Sequence, residues 1–135
     1  MSADAQLDQT LQRALEPFQA RVAASGGAIA VAYSGGLDSA ALLHLAASYA
    51  NRNASTRVIA LHVHHGLLPQ ADSWLVHCRA QAEALSVTFD ARQIALKTAG
   101  DGIEAAARKA RYAALGEMCR AHGASVLLTA HHLDD

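Results

Sequence analysis

Two hydrophobic patterns alternate along the chain. Segments rich in Ala and Leu carry apolar residues at helical spacing, and short runs rich in Val, Ile and Leu end in polar or glycine-containing turns. This alternation is typical of an α/β fold. In chain order it predicts helix 5–23, strand 28–33, helix 39–50, strand 57–63, helix 70–85, strand 87–94, helix 102–121 and strand 125–130.

The first predicted strand, AIAVAY, contains no charged residue. Continuous apolar runs suit parallel strands that helices cover on both faces, and right-handed crossovers then favour a doubly wound, Rossmann-like parallel sheet. We predict the strand order 3-2-1-4, because a central first strand places the loop that follows it at a topological switch point. Ligands of such sheets bind at the carboxyl ends of the strands, so the turns after each strand are the candidate sites.

The SGGLDS turn at residues 34–39 follows the first predicted strand and precedes a helix. Gly35 and Gly36 lack a Cβ atom and can adopt positive φ, which lets backbone N–H groups approach an anion closely. The N-terminus of the next helix adds partial positive charge, and Ser34 and Ser39 supply hydroxyl donors. The turn is neither a Walker P-loop nor a GxGxxG dinucleotide motif, and we interpret it as a phosphate-binding loop of another kind.

Asp38 is the acidic residue of this loop. Its carboxylate would repel a phosphate unless a divalent cation lay between the two groups, and magnesium suits that position. The sequence therefore predicts magnesium at Asp38. The structural alternative is an ordinary strand-to-helix turn in which Asp38 or Ser39 caps the helix.

The second predicted strand ends in LHVHHGL, residues 61–67. A nucleotide whose phosphates lie on the first loop would place its base against this strand end, with hydrogen bonds to the backbone around His62 and Val63. A metal site is the alternative at this end of the sheet, since imidazole and carboxylate groups are competent ligands. Its candidate ligands are His64, His65, His131, His132, Asp134 and Asp135.

Arg108 and Arg111 lie three residues apart in the last predicted helix and therefore share one face. They are candidate clamps for a phosphate or a substrate carboxylate, because the planar guanidinium binds such groups through two parallel hydrogen bonds. An ion pair between Glu104 and Arg108 is the structural alternative. After the last strand, the paired carboxylates of Asp134 and Asp135 would hold a metal or an amine, or would cap a following helix.

The composition narrows the class of protein without identifying a partner. The 135 residues fit one domain, and a net charge of -1, from 11 basic and 12 acidic residues, gives no electrostatic footprint of a nucleic-acid-binding surface. Charged residues interrupt residues 1–24, and no later run reaches membrane-spanning length, so we expect a cytoplasmic protein with no membrane partner. Cys78 and Cys119 lack a CxxC partner, which argues against a metal knuckle or a disulfide framework.

Four elements in this order, SGGLDS, HVHHGL, GIEAAARKARY and TAHHLDD, resemble the N-terminal domain of the tRNA(Ile)-lysidine synthetase family. That family is a branch of the PP-loop, or N-type, ATP pyrophosphatases. The SGGxDS pattern alone indicates only the superfamily, and the other three elements narrow it. The resemblance runs from about residue 25 to the end, and residues 1–24, which we predict as an N-terminal helix, add no family signal. It implies a PP-loop ATP-binding domain at 25–135, truncated before its C-terminal part and the tRNA-binding domains. The chain also ends directly after a predicted strand, and we expect it to be a fragment of a longer protein.

The resemblance implies an ATP-dependent, AMP-forming ligase that modifies the wobble cytidine of a tRNA(Ile) with a CAU anticodon. The C2 oxygen of the base attacks the α-phosphate of ATP and releases pyrophosphate. Free lysine then adds at C2 and expels AMP, which yields lysidine. Two alternatives stay open: another PP-loop enzyme that adenylates a different carbonyl oxygen, and a non-catalytic adenine-nucleotide-binding module.

Site roles follow from the same resemblance. The resemblance implies that the phosphates of ATP are held by Ser34, Gly35, Gly36, Leu37, Asp38 and Ser39. The residue patterns above add His62 and Val63 as contacts of the base, and magnesium at Asp38. The residues implied to act in catalysis are Asp38, Arg108, Arg111, His132, Asp134 and Asp135. The last three match the start of the family's HHxDDxxET element, whose Glu and Thr fall beyond residue 135. We therefore expect the 135 residues alone to be inactive.

Overall fold

The computed structural model describes residues 3–53, 55–64, 70–94 and 103–130. Its elements follow the predicted α/β alternation. The helices are α1 (Ala3–Leu15), α2 (Gln19–Ala24), α3 (Leu37–Arg52), α4 (Ala71–Ala84) and α5 (Ile103–His122), and a short 3-10 helix (Glu16–Phe18) separates α1 from α2. The strands are β1 (Ala28–Ala32), β2 (Arg57–His64), β3 (Thr88–Gln93) and β4 (Val126–Leu128).

The four strands form one parallel sheet in the order β3-β2-β1-β4, which confirms the predicted order. β1 is central: Ala32 pairs with Leu61 of β2, and Val31 pairs with Leu128 of β4. An apolar run that is buried along both faces suits this central position. The loop after β1 therefore leaves the sheet between β2 and β4, at the predicted switch point.

Alternate residues of the central strands enter two different cores. On one face, Val31 packs with Leu43 of α3 and Cys78 of α4. On the other face, Ile59 packs with Leu115 of α5. Because side chains of a strand alternate between its faces, each face needs its own helical cover, and the sheet is doubly wound as predicted.

The predicted helix 5–23 is wrong in one respect, because the structure has a break within it. Pro17 lies in the 3-10 helix Glu16–Phe18. Proline lacks a backbone N–H and its ring clashes with the carbonyl four residues before, so a continuous helix is unfavourable there.

The helix α1 packs on the same body as the sheet. Leu11 and Leu15 of α1 share a core cluster with Ile29 of β1 and Tyr49 of α3. The division of the chain at residue 24 into a separate helix and a PP-loop domain stays a prediction.

Candidate functional site

A cavity of about 1120 Å³ lies at the carboxyl ends of β1 and β2. Residues from five parts of the chain line it: the loop after β1, the end of β2, the first turns of α4, α5, and the segment after β4. Among the residues predicted to form a site, those that line the cavity are Ser34, Gly36, Leu37, Asp38, Ser39, His62, Val63, His64 and Arg111. Thr129 and Ala130, which follow β4, also line it.

Hydrogen bonds within the phosphate loop, residues 34–39, hold its shape. The Ser34 and Ser39 hydroxyls lie 3.0 Å apart, and the Ser34 N–H donates to the Ser39 hydroxyl at 3.2 Å. The Gly36 N–H donates to the Ser34 hydroxyl, and the Ser39 hydroxyl donates to the Gly36 carbonyl. The two serines thus bridge the two ends of the turn. The shape of the loop is held by its own hydrogen bonds.

The two glycines of the loop have different conformations. Gly35 has φ +88°, a region that favours glycine, as predicted. Gly36 has φ -73° and ψ 170°, so the expectation of positive φ at both positions is wrong at Gly36. Gly36 is instead the N-cap of α3, and its extended backbone leads directly into the first turn of the helix. The helix therefore begins at Leu37 rather than at the predicted residue 39. Asp38 and Ser39 lie within the first turn of α3, so the expectation that one of them is the N-cap is wrong.

Two α4 residues pack against this loop from outside it. The indole N–H of Trp74 donates to the Ser34 carbonyl at 2.7 Å, and the Cys78 thiol lies 3.8 Å from the same oxygen. Burial raises the pKa of the Cys78 thiol to about 11, so Cys78 is protonated at neutral pH and acts as a small apolar core residue. Sequence reasoning missed Trp74, because no local pattern indicates a contact across 40 residues.

The end of β2 carries two buried histidines. The Nδ1 atom of His62 lies 2.9 Å from the Tyr33 carbonyl, so this nitrogen carries the hydrogen as the donor. The Nε2 atom of His64 lies 2.8 Å from a carboxylate oxygen of Asp72, an exposed residue in the first turn of α4. The Nδ1 atom of His64 is buried and has no hydrogen-bond partner among the described residues.

The backbone of Val63 faces the side of β2 on which β1 lies. Alternate residues of a strand direct their N–H and C=O groups to the same neighbour, and the Leu61 carbonyl accepts from the Tyr33 N–H. The His64 carbonyl accepts from the Ile94 N–H on the opposite side. Because β1 ends at Ala32, Val63 directs one donor and one acceptor past the end of β1, where it lines the cavity.

Arg108 and Arg111 differ although they share a helix face. Both guanidinium groups lie near the ring of Tyr112, at 5.8 Å for Arg108 and 5.2 Å for Arg111. Only Arg111 lines the cavity, and its Nε is buried with no hydrogen-bond partner among the described residues. Arg108 is exposed. The alternative ion pair of Arg108 involves Glu104, whose side chain lies outside the described part of the chain.

Several predicted site residues fall outside the described ranges. These are His65, His131, His132, Asp134 and Asp135. Ser34, which follows β1, and His62, which lies in β2, both line the same cavity. Within the described ranges no group of three or more His, Cys, Asp or Glu side chains is placed to hold a metal ion. No described helix is long and apolar enough to cross a bilayer.

A parallel doubly wound sheet with a glycine turn, a helix N-terminus and a cavity at its switch point is typical of nucleotide-binding α/β domains. A family model described as a PP-loop domain matches residues 4–135. The chain therefore belongs to the PP-loop domain family. Membership of this family implies a domain that binds ATP.

Curated relatives share sequence with most of the chain. It is 55% identical over 108 residues to tRNA(Ile)-lysidine synthase of Burkholderia mallei, which covers 79% of this chain and 22% of that protein. It is 52% identical over 115 residues to the enzyme of that name from Ralstonia nicotianae, covering 82% of this chain and 25% of that protein. The corresponding protein of Pseudomonas aeruginosa is 44% identical over 133 residues, which is 96% of this chain and 27% of the relative. The chain thus spans about a quarter of the length of these relatives.

A solved structure supports the fold independently. The U34-tRNA thiolase NcsA from Methanococcus maripaludis superposes with a TM-score of 0.69 at 17% sequence identity, over 80% of this chain and 39% of that chain. At this identity the likeness concerns the arrangement of helices and strands alone.

Proposed function

We propose that this chain is the ATP-binding domain of a tRNA(Ile)-lysidine synthetase. The observation that carries the proposal is the convergence of three groups on one cavity: the phosphate loop, the Val63 backbone and the Arg111 guanidinium. Relatives of 44–55% identity bear this enzyme's name. The domain boundary at residue 25 and the tRNA-binding domains after residue 135 belong to the same proposal.

The phosphate groups of ATP would lie on the loop from Ser34 to Ser39. The N-terminus of α3, a helix of 16 residues, adds partial positive charge next to the loop. The hydrogen bonds between Ser34 and Ser39 hold the loop in place, so binding would not need to order it. Leu37, which is 89% exposed, adds an apolar contact surface at the rim.

The adenine base would lie against the end of β2. The Val63 N–H and C=O supply one donor and one acceptor, and adenine presents a ring nitrogen acceptor beside an amino donor. Guanine presents the opposite pattern on that edge. The proposed contact thus predicts a preference for ATP over GTP. His62 would contribute indirectly, because its hydrogen bond to the Tyr33 carbonyl fixes the end of β2 against β1.

Arg111 would bind a phosphate oxygen across the cavity from the loop. Its buried Nε lacks a partner in the described part of the chain, and a phosphate oxygen would supply the acceptor. Arg108 is exposed and lies outside the cavity lining, so we assign it to a substrate or tRNA contact rather than to the ATP phosphates.

Asp38 is suited to bind magnesium, both by its chemistry and by its position. It is a carboxylate in the first turn of α3 that lines the cavity next to the loop. When bound, magnesium would neutralise charge on the departing pyrophosphate. His132, Asp134 and Asp135, which follow Ala130 in the sequence, are proposed to complete the reaction site.

The proposed reaction has two steps on a cytoplasmic tRNA(Ile) with a CAU anticodon. The C2 oxygen of the wobble cytidine attacks the α-phosphate of ATP, and pyrophosphate leaves. The amine of free lysine then bonds to C2, and the adenylated oxygen leaves as AMP. The domain's own residues bind and orient ATP for the first step, which is mainly an electrostatic and positional task.

The test is a product assay with the full-length protein, ATP, labelled lysine and tRNA(Ile). We expect label in the tRNA at the wobble position together with AMP and pyrophosphate. A transcript with uridine in place of the wobble cytidine is the control, and it should accept no lysine. ATP binding without pyrophosphate release would instead support the non-catalytic module, and label transfer to another nucleotide would support a different PP-loop enzyme. The 135 residues alone should form no lysidine.

A further inference from the structure

Two side chains of α4, Trp74 and Cys78, contact the phosphate loop, and Trp74 makes the shorter hydrogen bond. Trp74 donates its indole N–H to the Ser34 carbonyl at 2.7 Å. A Cβ atom added to Gly35 would lie 2.7 Å from the Trp74 ring and 2.7 Å from the Cys78 sulfur. The close approach of α4 thus excludes a side chain at Gly35, in addition to its φ of +88°.

We propose that Trp74 is a positioning residue for ATP binding: it fixes the Ser34–Gly35 peptide in the orientation that receives the triphosphate. This inference rests on the proposed function. The Ser34 carbonyl and the Gly35 N–H belong to one planar trans peptide, so they point in opposite directions. A carbonyl held by Trp74 therefore aims the Gly35 N–H away from α4.

A second contact extends this role of α4. Asp72, two residues before Trp74, lies 2.8 Å from His64 at the end of β2. One turn of α4 therefore contacts both the phosphate loop and the strand end proposed to receive adenine.

The exposure of Trp74 argues against a role in core packing alone. Its side chain is 44% exposed, stacks on His77 at 4.9 Å and lines the main cavity. A large aromatic residue that serves only packing is normally more buried, and a tryptophan N–H bonded to a backbone carbonyl has a fixed ring position.

Trp74 is the single tryptophan of the chain, which makes the bond directly observable. In a spectrum of the 15N-labelled 135-residue chain, its indole N–H gives one signal without need of assignment. We expect this proton to exchange with water at least about tenfold more slowly than that of free tryptophan, because it is hydrogen-bonded. Exchange at the free rate would overturn the proposal without any nucleotide being added.

A second experiment measures the affinities of the Trp74→Phe variant for ATP and for adenosine by calorimetry. Loss of the N–H should weaken ATP binding by about threefold to tenfold and leave adenosine binding unchanged, since adenosine has no phosphate to meet the loop. Val76→Ala, at an exposed position of the same helix, is the control and should match the wild type for both ligands. A general structural defect would weaken both ligands equally and would contradict the assigned role.

A second replacement keeps the test decisive if phenylalanine disturbs folding. Benzothienylalanine, incorporated at the single tryptophan position, keeps the ring shape and lacks the N–H donor. Unchanged ATP affinity in this form would overturn the inference, whereas the same selective loss as in Trp74→Phe would support it. Failure of the wild-type chain to bind ATP would refute the proposed function instead, and the proton-exchange result would still decide whether Trp74 holds the loop.

Discussion

The two sides of the cavity differ in how far their polar groups are satisfied. On the loop side, the hydroxyls and backbone of Ser34 and Ser39 bond to one another, and Trp74 holds the Ser34 carbonyl. On the α5 side, the buried Nε of Arg111 has no partner among the described residues. The cavity therefore combines a preformed loop with a cation whose bonding is incomplete.

This difference has an energetic meaning. A buried donor without an acceptor costs about 1–3 kcal/mol, and more for a charged group. A protein retains such a group where a ligand supplies the acceptor, because the cost is then recovered on binding. We therefore expect variants on the α5 side to act mainly on ligand binding, and variants in the loop to act on both folding and binding.

The largest effect is expected from Asp38→Asn. Asparagine is a neutral and poorer magnesium ligand, so pyrophosphate release in the full-length protein should fall by about 100-fold or more, since metal ions contribute several kcal/mol to such steps. Thermal unfolding should change little, because a first-turn acidic residue stabilises its helix by only about 0.3–1 kcal/mol. Near-normal pyrophosphate release in this variant would refute the magnesium role.

Arg111→Ala should rank second and act on binding. Loss of a charge-assisted bond to phosphate should weaken ATP binding by about 10- to 100-fold in calorimetry. The unfolding temperature should stay equal or rise, because the variant removes a buried donor that has no partner among the described residues. Arg108→Ala is the matched control on the same helix face, and equal losses of ATP affinity in the two variants would contradict the assigned difference.

Gly35→Ala tests the loop side through stability. Positive φ with a side chain and the contact with Trp74 and Cys78 should together cost about 2–5 kcal/mol of unfolding free energy. Gly36→Ala is the control, since Gly36 has ordinary φ and an added Cβ would meet only the Ser34 hydroxyl, at 3.5 Å. Chemical denaturation of both variants measures the difference, and equal stability would show that the loop is not preformed as described.

The smallest effect concerns the Cys78 thiol beneath the loop. Burial raises its pKa from 9.0 to about 11, so the folded state keeps the proton more tightly than the unfolded state. The stabilising contribution is then complete below pH 9 and is lost as the pH rises toward about 11. Alkylation of Cys78 in the folded chain, followed by peptide mass analysis, should stay slow at pH 9 and accelerate near pH 11. Rapid alkylation at pH 9 would contradict the packing of α4 on the loop.

Local patterns were enough to predict the sheet and the loop. The uncharged run of β1 and the glycine turn after it are signals within a few residues, and the strand order followed from them. The sequence also contains the cause of the helix break, because proline is unfavourable in the interior of a helix. The helical spacing of apolar residues continues across Pro17 and led to the prediction of one continuous helix.

Other features depend on contacts that no local pattern contains. The 3.6-residue period put Arg108 and Arg111 on one face, but only the fold decides which of them reaches the cavity. Trp74 contacts Ser34, 40 residues away in sequence. The nearby Trp74 ring is one reason why position 35 accepts only glycine. The Gly36 conformation likewise follows from its place at the N-cap of α3.

Nucleotide titration of the 135-residue chain tests the central claim most directly. ATP and GTP would be added separately in the presence of magnesium, with calorimetry and the fluorescence of Trp74 recorded together. We predict saturable binding of one ATP per chain with a change in Trp74 emission, and GTP binding weaker by at least about tenfold because its base presents the opposite hydrogen-bonding pattern to Val63. Absence of saturable ATP binding, or equal affinity for GTP, would contradict the assignment of this cavity as an ATP site.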